Sequence, residues 1–220
     1  MSQSPGPRIE IAGDRSLLVI FGEAISPDSH RQVLRMTRCF SEIPAVTNVH
    51  PAYASVLVDF DPLRTTHDEI EERARYFLTH ADAAPLPEPR RIEIPVHYGG
   101  DDGPDLDEVA RLAGRTPEEV IALHSGADYL VYFLGFSPGF PYLGGMPEEI
   151  AVPRLDTPRR RVPAGSVAIG GHQTGVYPLA SPGGWRIIGR TPLHLFQPDA
   201  NPPVLLQMGD HVTFVPMSKD

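Results

Sequence analysis

The chain has 220 residues, 41% of them hydrophobic, with a formal net charge of −9 and one cysteine, Cys39. That is enough chain for one large or two small domains with a real core, and the acidic balance excludes nucleic acid as the main partner. There is no run of 18 apolar residues for a membrane span, no partner for Cys39 in an intrachain disulfide, and no basic-then-apolar leader in MSQSPGPRIE, so a cytoplasmic location is expected.

In chain order, Ser16 to Phe21 reads as a short apolar strand. Ser26-Pro27 then marks a helix start, an N-cap followed by proline at the first helical position. Val33, Met36, Phe40 and Ile43 recur at helical spacing, and Cys39 beside them reads as a structural thiol with no activating neighbour. Val46 to Val49 and Tyr53 to Phe60 read as two strands. Thr66-x-x-Glu69 is a capping-box signature opening a helix striped with Ile70, Ala74, Phe77 and Leu78. Strand, helix, strand, strand, helix predicts an N-terminal α+β domain over residues 1–85, a split βαβ sheet with helices on one face.

Ala83 to Pro89, with three prolines in seven residues, is the linker candidate. Residues 86–127 read as a linker strand and short helices. Arg91 to Tyr98 alternates as a strand that could complete the first sheet or begin the second domain. Asp105 to Ala113 and the segment opened by Thr116-Pro117-Glu118-Glu119 read as two short helices. A helix-turn-helix is one reading of that pair, but its acidic residues Asp105, Asp107, Glu108, Glu118 and Glu119 favour a packed structural pair over a DNA contact. Over residues 128–220 short apolar runs alternate with turn signals: Tyr129–Leu134, Ser166–Ile169, Gly175–Pro178, Trp185–Gly189, Val204–Gln207 and His211–Val215. Six such runs with little helical periodicity suggest an antiparallel barrel or sandwich.

The densest signal is Phe133 to Pro192, where about one residue in three is glycine or proline. Its spacers are Phe, Tyr, Trp, Val, Ile and Leu, so glycine and proline here punctuate short strands of a packed β structure. It carries six arginines against three acidic residues, on a chain that is otherwise strongly acidic. A small anion or a partner's acidic loop suits such a region. Gly135-Phe136-Ser137-Pro138-Gly139 matches G-x-S-x-G, but Pro138 lacks the N–H that an oxyanion hole needs, so a tight structural loop is expected. No phosphate-loop or dinucleotide fingerprint occurs, and no histidine spacing indicates a metal site. The cluster Arg154, Arg159, Arg160 and Arg161 suits bidentate binding of carboxylate or phosphate, or equally forms surface ion pairs. Arg186 and Arg190 flank a strand and could each pair with an acidic neighbour. His172, Gln173, Thr174 and Tyr177 place polar groups near a glycine pair, where a ligand could approach the backbone.

These segments resemble one family. Phe136-Ser137-Pro138-Gly139-Phe140-Pro141-Tyr142-Leu143, Val152-Pro153-Arg154, Thr157-Pro158-Arg159, Val162-Pro163-Ala164-Gly165-Ser166-Val167, Gln173-Thr174-Gly175-Val176-Tyr177-Pro178, Ser181-Pro182-Gly183-Gly184-Trp185 and Ile188-Gly189-Arg190-Thr191-Pro192 look like the KipI/PxpB family, also called allophanate hydrolase subunit 1. They also resemble carboxyltransferase subdomains C and D of urea carboxylase. Pro51-Ala52-Tyr53, Val58-Asp59-Phe60-Asp61-Pro62, Tyr98-Gly99-Gly100 and Gly103-Pro104-Asp105-Leu106 extend the likeness over nearly the whole chain.

The resemblance implies an N-terminal α+β domain and a C-terminal cyclophilin-like antiparallel β-barrel. It implies a subunit of a multi-subunit ATP-dependent 5-oxoprolinase, opening 5-oxo-L-proline to L-glutamate with ADP and phosphate released. Its partners would be a homologous second subunit of the PxpC/KipA type and a third of the PxpA type, with ATP shared among them because this chain has no complete nucleotide site. Arg154, Arg159 and Arg190 are the catalytic candidates. Ser137, Gly139, Tyr142, Gln173, Thr174, Tyr177 and Trp185 are candidates for binding substrate or partner. His172 is not carried over. Two other members' roles remain open: inhibition of a sensor histidine kinase by direct contact, and allophanate or urea carboxylase chemistry, which would need a biotin-carrying partner.

Overall fold

The computed structural model describes residues 6–80, 86 and 88–218. The chain divides into two compact units, Met1–Glu88 and Pro89–Asp220. Most of the proline-rich segment 83–89 read as a linker lies outside the described residues.

The first unit runs β1 (Arg8–Ile11), β2 (Ser16–Ile20), α1 (Pro27–Ser41), β3 (Val46–Pro51), β4 (Ser55–Phe60) and α2 (His67–His80). Its sheet has the order β1-β2-β4-β3, with β4 antiparallel to both β2 and β3. β2, α1 and β3 therefore form the expected split βαβ. Strand alternation selects Leu17, Val19, Val56, Val58 and Phe60 for one fully buried face, and Val33, Met36 and Phe40 of α1 with Ile70 and Ala74 of α2 are buried with them. Phe40 meets Phe77 edge-on at 5.3 Å. The start signals work as expected: Ser26 Oγ accepts from Ser29 N–H at 3.0 Å, and Thr66 and Glu69 cap each other's N–H groups. Cys39 is half-buried, and burial followed by Glu42 raises its thiol pKa. β1, a four-residue strand RIEI that pairs only with β2 at the sheet edge and is almost wholly exposed, has no counterpart among the expected strands.

The second unit runs β5 (Arg91–Tyr98), α3 (Leu106–Ala113), α4 (Pro117–Ser125), β6 (Tyr129–Leu134), β7 (Pro141–Gly144), a 3-10 turn (Glu148–Ile150), β8 (Arg159–Val162), β9 (Ser166–Gly170), β10 (Gln173–Val176), β11 (Ser181–Gly183), β12 (Arg186–Arg190) and β13 (His211–Pro216). Seven strands close a barrel in the order β10-β7-β6-β13-β5-β12-β9, and β8 and β11 form a separate two-stranded sheet. The barrel pairs are antiparallel except β5 with β13, which run parallel from Arg91↔His211 onward. β5 is thus a barrel strand, the second of the two options its sequence left open. The expected strand Val204–Gln207 reduces to one bridge, Val204 to Phe196, because Pro202 and Pro203 remove the donors leading into it. The expected Gly175–Pro178 strand is shifted back by two residues, to β10. α3 and α4 pack together, and α4 opens on a complete capping box between Thr116 and Glu119. No helix among the described residues is long and apolar enough to cross a membrane.

The barrel interior is filled by Ile94, Val96, Val131, Leu143, Val167, Ile169, Val176, Ile188, Val212 and Phe214. Two polar residues, His124 and Thr174, sit among them. His124, at the end of α4, is 0% exposed. Thr174 Oγ1 donates to the Ala168 carbonyl at 3.0 Å, so it accepts from His124 Nε2–H at 2.8 Å. His124 Nδ1 then accepts from the Tyr98 hydroxyl at 2.7 Å, which fixes a neutral imidazole in the Nε2–H tautomer. Tyr129 adds a hydrogen bond to the His124 carbonyl at 2.8 Å.

Burial pushes the His124 pKa down from 6.5 to about 3. Unfolding exposes an imidazole that binds a proton below pH 6.5, which the folded state refuses. The neutral network's stabilisation is therefore complete above pH 6.5 and is lost as pH falls toward 3, by up to about 1.4 kcal/mol per pH unit. Urea unfolding between pH 7 and 4 should show this slope in the wild type and a slope shallower by about one proton in His124→Gln. Equal slopes would assign the acid sensitivity to other groups.

Candidate functional site

β9 and β12 are buried on both faces. Alternation sends Val167, Ile169 and Ile188 into the barrel and Ala168 and Ile187 outward, into a second core with Phe140, Val162, Tyr177 and Trp185. The β8–β11 sheet supplies Val162 to this outer core. A cleft of about 270 Å³ opens over it, lined by Phe136, Phe140, Tyr142, Arg154, Pro158, Tyr177, Pro182, Gly183, Gly184 and Trp185.

Phe140 is the centre of the aromatic wall. It meets Tyr142 at 5.3 Å, Tyr177 at 5.4 Å and Trp185 at 5.6 Å, each edge-to-face. Two glycines admit these rings: a Cβ on Gly170 would fall 2.6 Å from Trp185 Cδ1, and one on Gly183 would fall 2.4 Å from Tyr177 Oη. The loop between β6 and β7 carries Phe136 at the rim, 64% exposed. Its φ is +61°, the single positive value among non-glycine described residues. Ser137 N–H bonds back to the Gly135 carbonyl at 2.6 Å, closing a γ-turn around Phe136, a strained geometry that holds the ring outward.

The cations are distributed unevenly. Arg154 lies over Trp185 at 5.5 Å from the ring centroid, with no carboxylate partner among the described residues. Its backbone is fixed on both sides: Arg186 Nε donates to the Pro153 carbonyl at 2.9 Å and Leu155 N–H to the Gly184 carbonyl at 2.7 Å. Arg159 stands behind the wall, paired with the buried Asp105 at 2.6 Å. Arg186 pairs with Glu108 at 2.8 Å. Burial raises the Tyr177 pKa, opposed by the Trp185 N–H and by Arg154 and Arg159.

Of the sequence candidates, Tyr142, Arg154, Tyr177 and Trp185 line the cleft. Gln173 shares the outward register of Gly175 and Tyr177 along β10. Thr174 does not reach the cleft: it points into the barrel, with its hydroxyl used by His124 and Ala168. Arg190 pairs with Asp102 at 3.3 Å and is not among the lining residues. Ser137 and Gly139 shape the loop instead of lining the cleft. The Ser137 hydroxyl is buried, and Gly139, at φ +81°, lies against the Leu195 carbonyl. His172 is exposed beside Glu148 at 2.9 Å. The site also uses Phe136, Phe140, Pro158 and Gly183, all inside the quoted motifs but not singled out there. Asp105 and Glu108 gave no signal beyond an acidic helix start, since their partners lie far along the chain.

The family model for carboxyltransferase domain, subdomain C and D, matches residues 7–206. The B-type subunit of 5-oxoprolinase from Bacillus subtilis (strain 168) is 44% identical over 228 residues, covering 96% of this chain and 93% of the relative. The corresponding 5-oxoprolinase protein of Escherichia coli O157:H7 is 43% identical over 213 residues, covering 96% and 97%. Among solved structures, TTHA0988 superposes with a TM-score of 0.82 at 38% identity. That match covers 94% of this chain, which spans only 40% of the longer TTHA0988 chain.

Gly170→Ala should force the Trp185 ring out of its seat and destabilise the unit by about 1–3 kcal/mol, the usual cost of overpacking. Trp185 is the chain's single tryptophan, so its emission should shift to the red as the ring gains solvent. Wild-type emission and stability in the variant would show that the ring does not occupy the seat described.

Proposed function

The chain belongs to the carboxyltransferase subdomain C and D family, and on that premise we propose that it is the B-type subunit of an ATP-dependent 5-oxoprolinase, opening 5-oxo-L-proline to L-glutamate with release of ADP and phosphate. The carrying observation is the pair of 5-oxoprolinase relatives, 43–44% identical over nearly their whole length. The cleft supports the reading chemically. Its aromatic walls suit a small ring, and Arg154 at its edge suits the ring's carboxylate or a developing phosphoryl charge. At about 270 Å³ it has room for a ring the size of the lactam.

Phosphoryl transfer to the lactam oxygen would make the ring carbon electrophilic; attack by one water and C–N cleavage would give γ-glutamyl phosphate with its amine free, and a second water would hydrolyse that acyl phosphate to L-glutamate and phosphate. This chemistry needs cations over the phosphoryl oxygens and a fixed pose for the substrate. Arg154, held over Trp185, provides the first from this chain, and the Phe140 wall provides the second. The nucleotide would be held with partner subunits, a homologous second one and a third, and turnover would require them.

Co-expression with those subunits and assay of ATP-dependent glutamate release, leaving out each chain in turn, tests the proposal. Activity should vanish when this chain is absent. Arg154→Ala should lower kcat/KM by about 10²–10³-fold, the loss typical of one transition-state donor, with an unchanged thermal midpoint. A well-formed complex that leaves 5-oxo-L-proline intact would reject the reading, and the rim with its exposed Phe136 would then be reread as a docking surface for a regulatory partner.

A further inference from the structure

Five aromatic side chains line the cleft, and four of them are held in place. Phe140, Tyr177 and Trp185 are buried, and Tyr142 is stacked on Phe133 at 4.5 Å. Phe136 is the fifth, at the rim and 64% exposed. It meets the wall edge-on, at 5.5 Å from Phe140 and 6.4 Å from Tyr177. Phe140 in turn meets Trp185 at 5.6 Å, and Arg154 lies over Trp185. The wall therefore runs from Phe136 through Phe140 and Trp185 to Arg154, apolar at one end and cationic at the other.

Phenylalanine suits neither demand made at position 136. Glycine meets a γ-turn of positive φ without strain, and a polar side chain suits an exposed position better. Leu63 and Ile11 are more exposed than Phe136, but neither has a positive φ and neither lines the cleft. The loop imposes the geometry. Gly135 N–H donates to the Phe140 carbonyl at 3.1 Å and Phe140 N–H to the Ser137 carbonyl at 3.0 Å, with Pro138 restricting the backbone between them. Strained backbone that its surroundings hold in this way concentrates at ligand clamps and active sites. The ring is thus carried to the mouth of the cleft and kept there against the preference of its own backbone.

We propose that Phe136 is a specificity-determining residue of the cleft: its ring covers the unsubstituted methylene edge of a small cyclic carboxylate whose anionic end Arg154 takes, and so rejects a ring hydroxylated on that edge. The ligand rests on the function proposed above. Glycine keeps the turn without strain, so Phe136→Gly should remove the ring without lowering the thermal midpoint. In the reconstituted complex it should raise KM for 5-oxo-L-proline about tenfold and leave kcat within about twofold, as when a contact shared equally by substrate and transition state is lost. The wild type should prefer 5-oxo-L-proline over at least one of its 3-hydroxy and 4-hydroxy derivatives by about 100-fold in kcat/KM, the discrimination an apolar wall gives against an added hydroxyl. In Phe136→Gly that preference should fall below about tenfold. The hydroxyl's own effect on reactivity cancels between the two enzymes, and a merely displaced loop would slow all three substrates alike. Equal preference in the two enzymes, or a wild type with none, would overturn the proposal. So would failure of Phe136→Gly to assemble with the partner subunits, which would make the ring a docking contact. If Phe136→Gly fails to fold, Phe136→Asn, whose side chain tolerates positive φ, is read by the same ratio. A wild-type complex inactive on 5-oxo-L-proline removes the function and this proposal with it, whereas an active wild type with an unaltered ratio in the variant removes this proposal alone.

Discussion

Everything at the cleft depends on two strands that bury both faces. β9 and β12 each turn alternate side chains into the barrel and onto its outer wall, so one pair of strands serves two cores. That requirement removes the polar face an antiparallel sheet normally shows to water. It explains the near-continuous apolar runs SVAIG and RIIG, and it demands cover on the outside. The cover is the β8–β11 sheet with the prolines around it, and the cleft is the space this cover leaves beside the aromatic wall. The cleft thus lies outside the barrel, and the barrel interior is sealed around His124.

Much of this was legible in the chain. Ser26-Pro27, Thr66-x-x-Glu69 and Thr116-x-x-Glu119 opened helices where the pattern put them, because capping depends on neighbours a few residues apart. The apolar alternation of β4, β5 and β13 survived for the same reason. What was not legible depends on distant partners or on register. Arg159 and Arg161 in β8 read as a charged loop, and only the buried Asp105, 54 positions earlier, gives Arg159 its partner. Thr174 was read toward the ligand with Gln173 and Tyr177. A one-residue step along a strand reverses the facing, and nothing in QTGVY indicates which residues point inward until β9 is laid beside it.

Charge follows the same logic. The excess of arginine in the glycine- and proline-rich segment suggested an open cationic surface, yet Asp102, Asp105 and Glu108 pair three of its six arginines, and of the other three only Arg154 lines the cleft. Concentrating one uncompensated cation against an aromatic wall gives orientation as well as attraction, since a guanidinium over an indole face has few ways to turn. The strained turn at Phe136 works in the same direction: backbone geometry that a phenylalanine adopts at a cost keeps an apolar ring at the rim, where relaxed geometry would let it fold away.

The parallel pairing of β5 with β13 joins the first strand of the second unit to its last, more than a hundred positions apart in sequence. Such a closure lies at the slow end of folding, because the loop between the two strands must be ordered before their contacts repay it. During synthesis every other barrel strand leaves the ribosome before β13 does. Until then the edges of β5 and β6 that will flank it stay open, each offering unpaired backbone groups to any passing strand. The unit is therefore most exposed to mispairing in the interval just before its last strand is made, and production of the protein should respond to translation speed over that final stretch and to chaperones that shield open sheet edges.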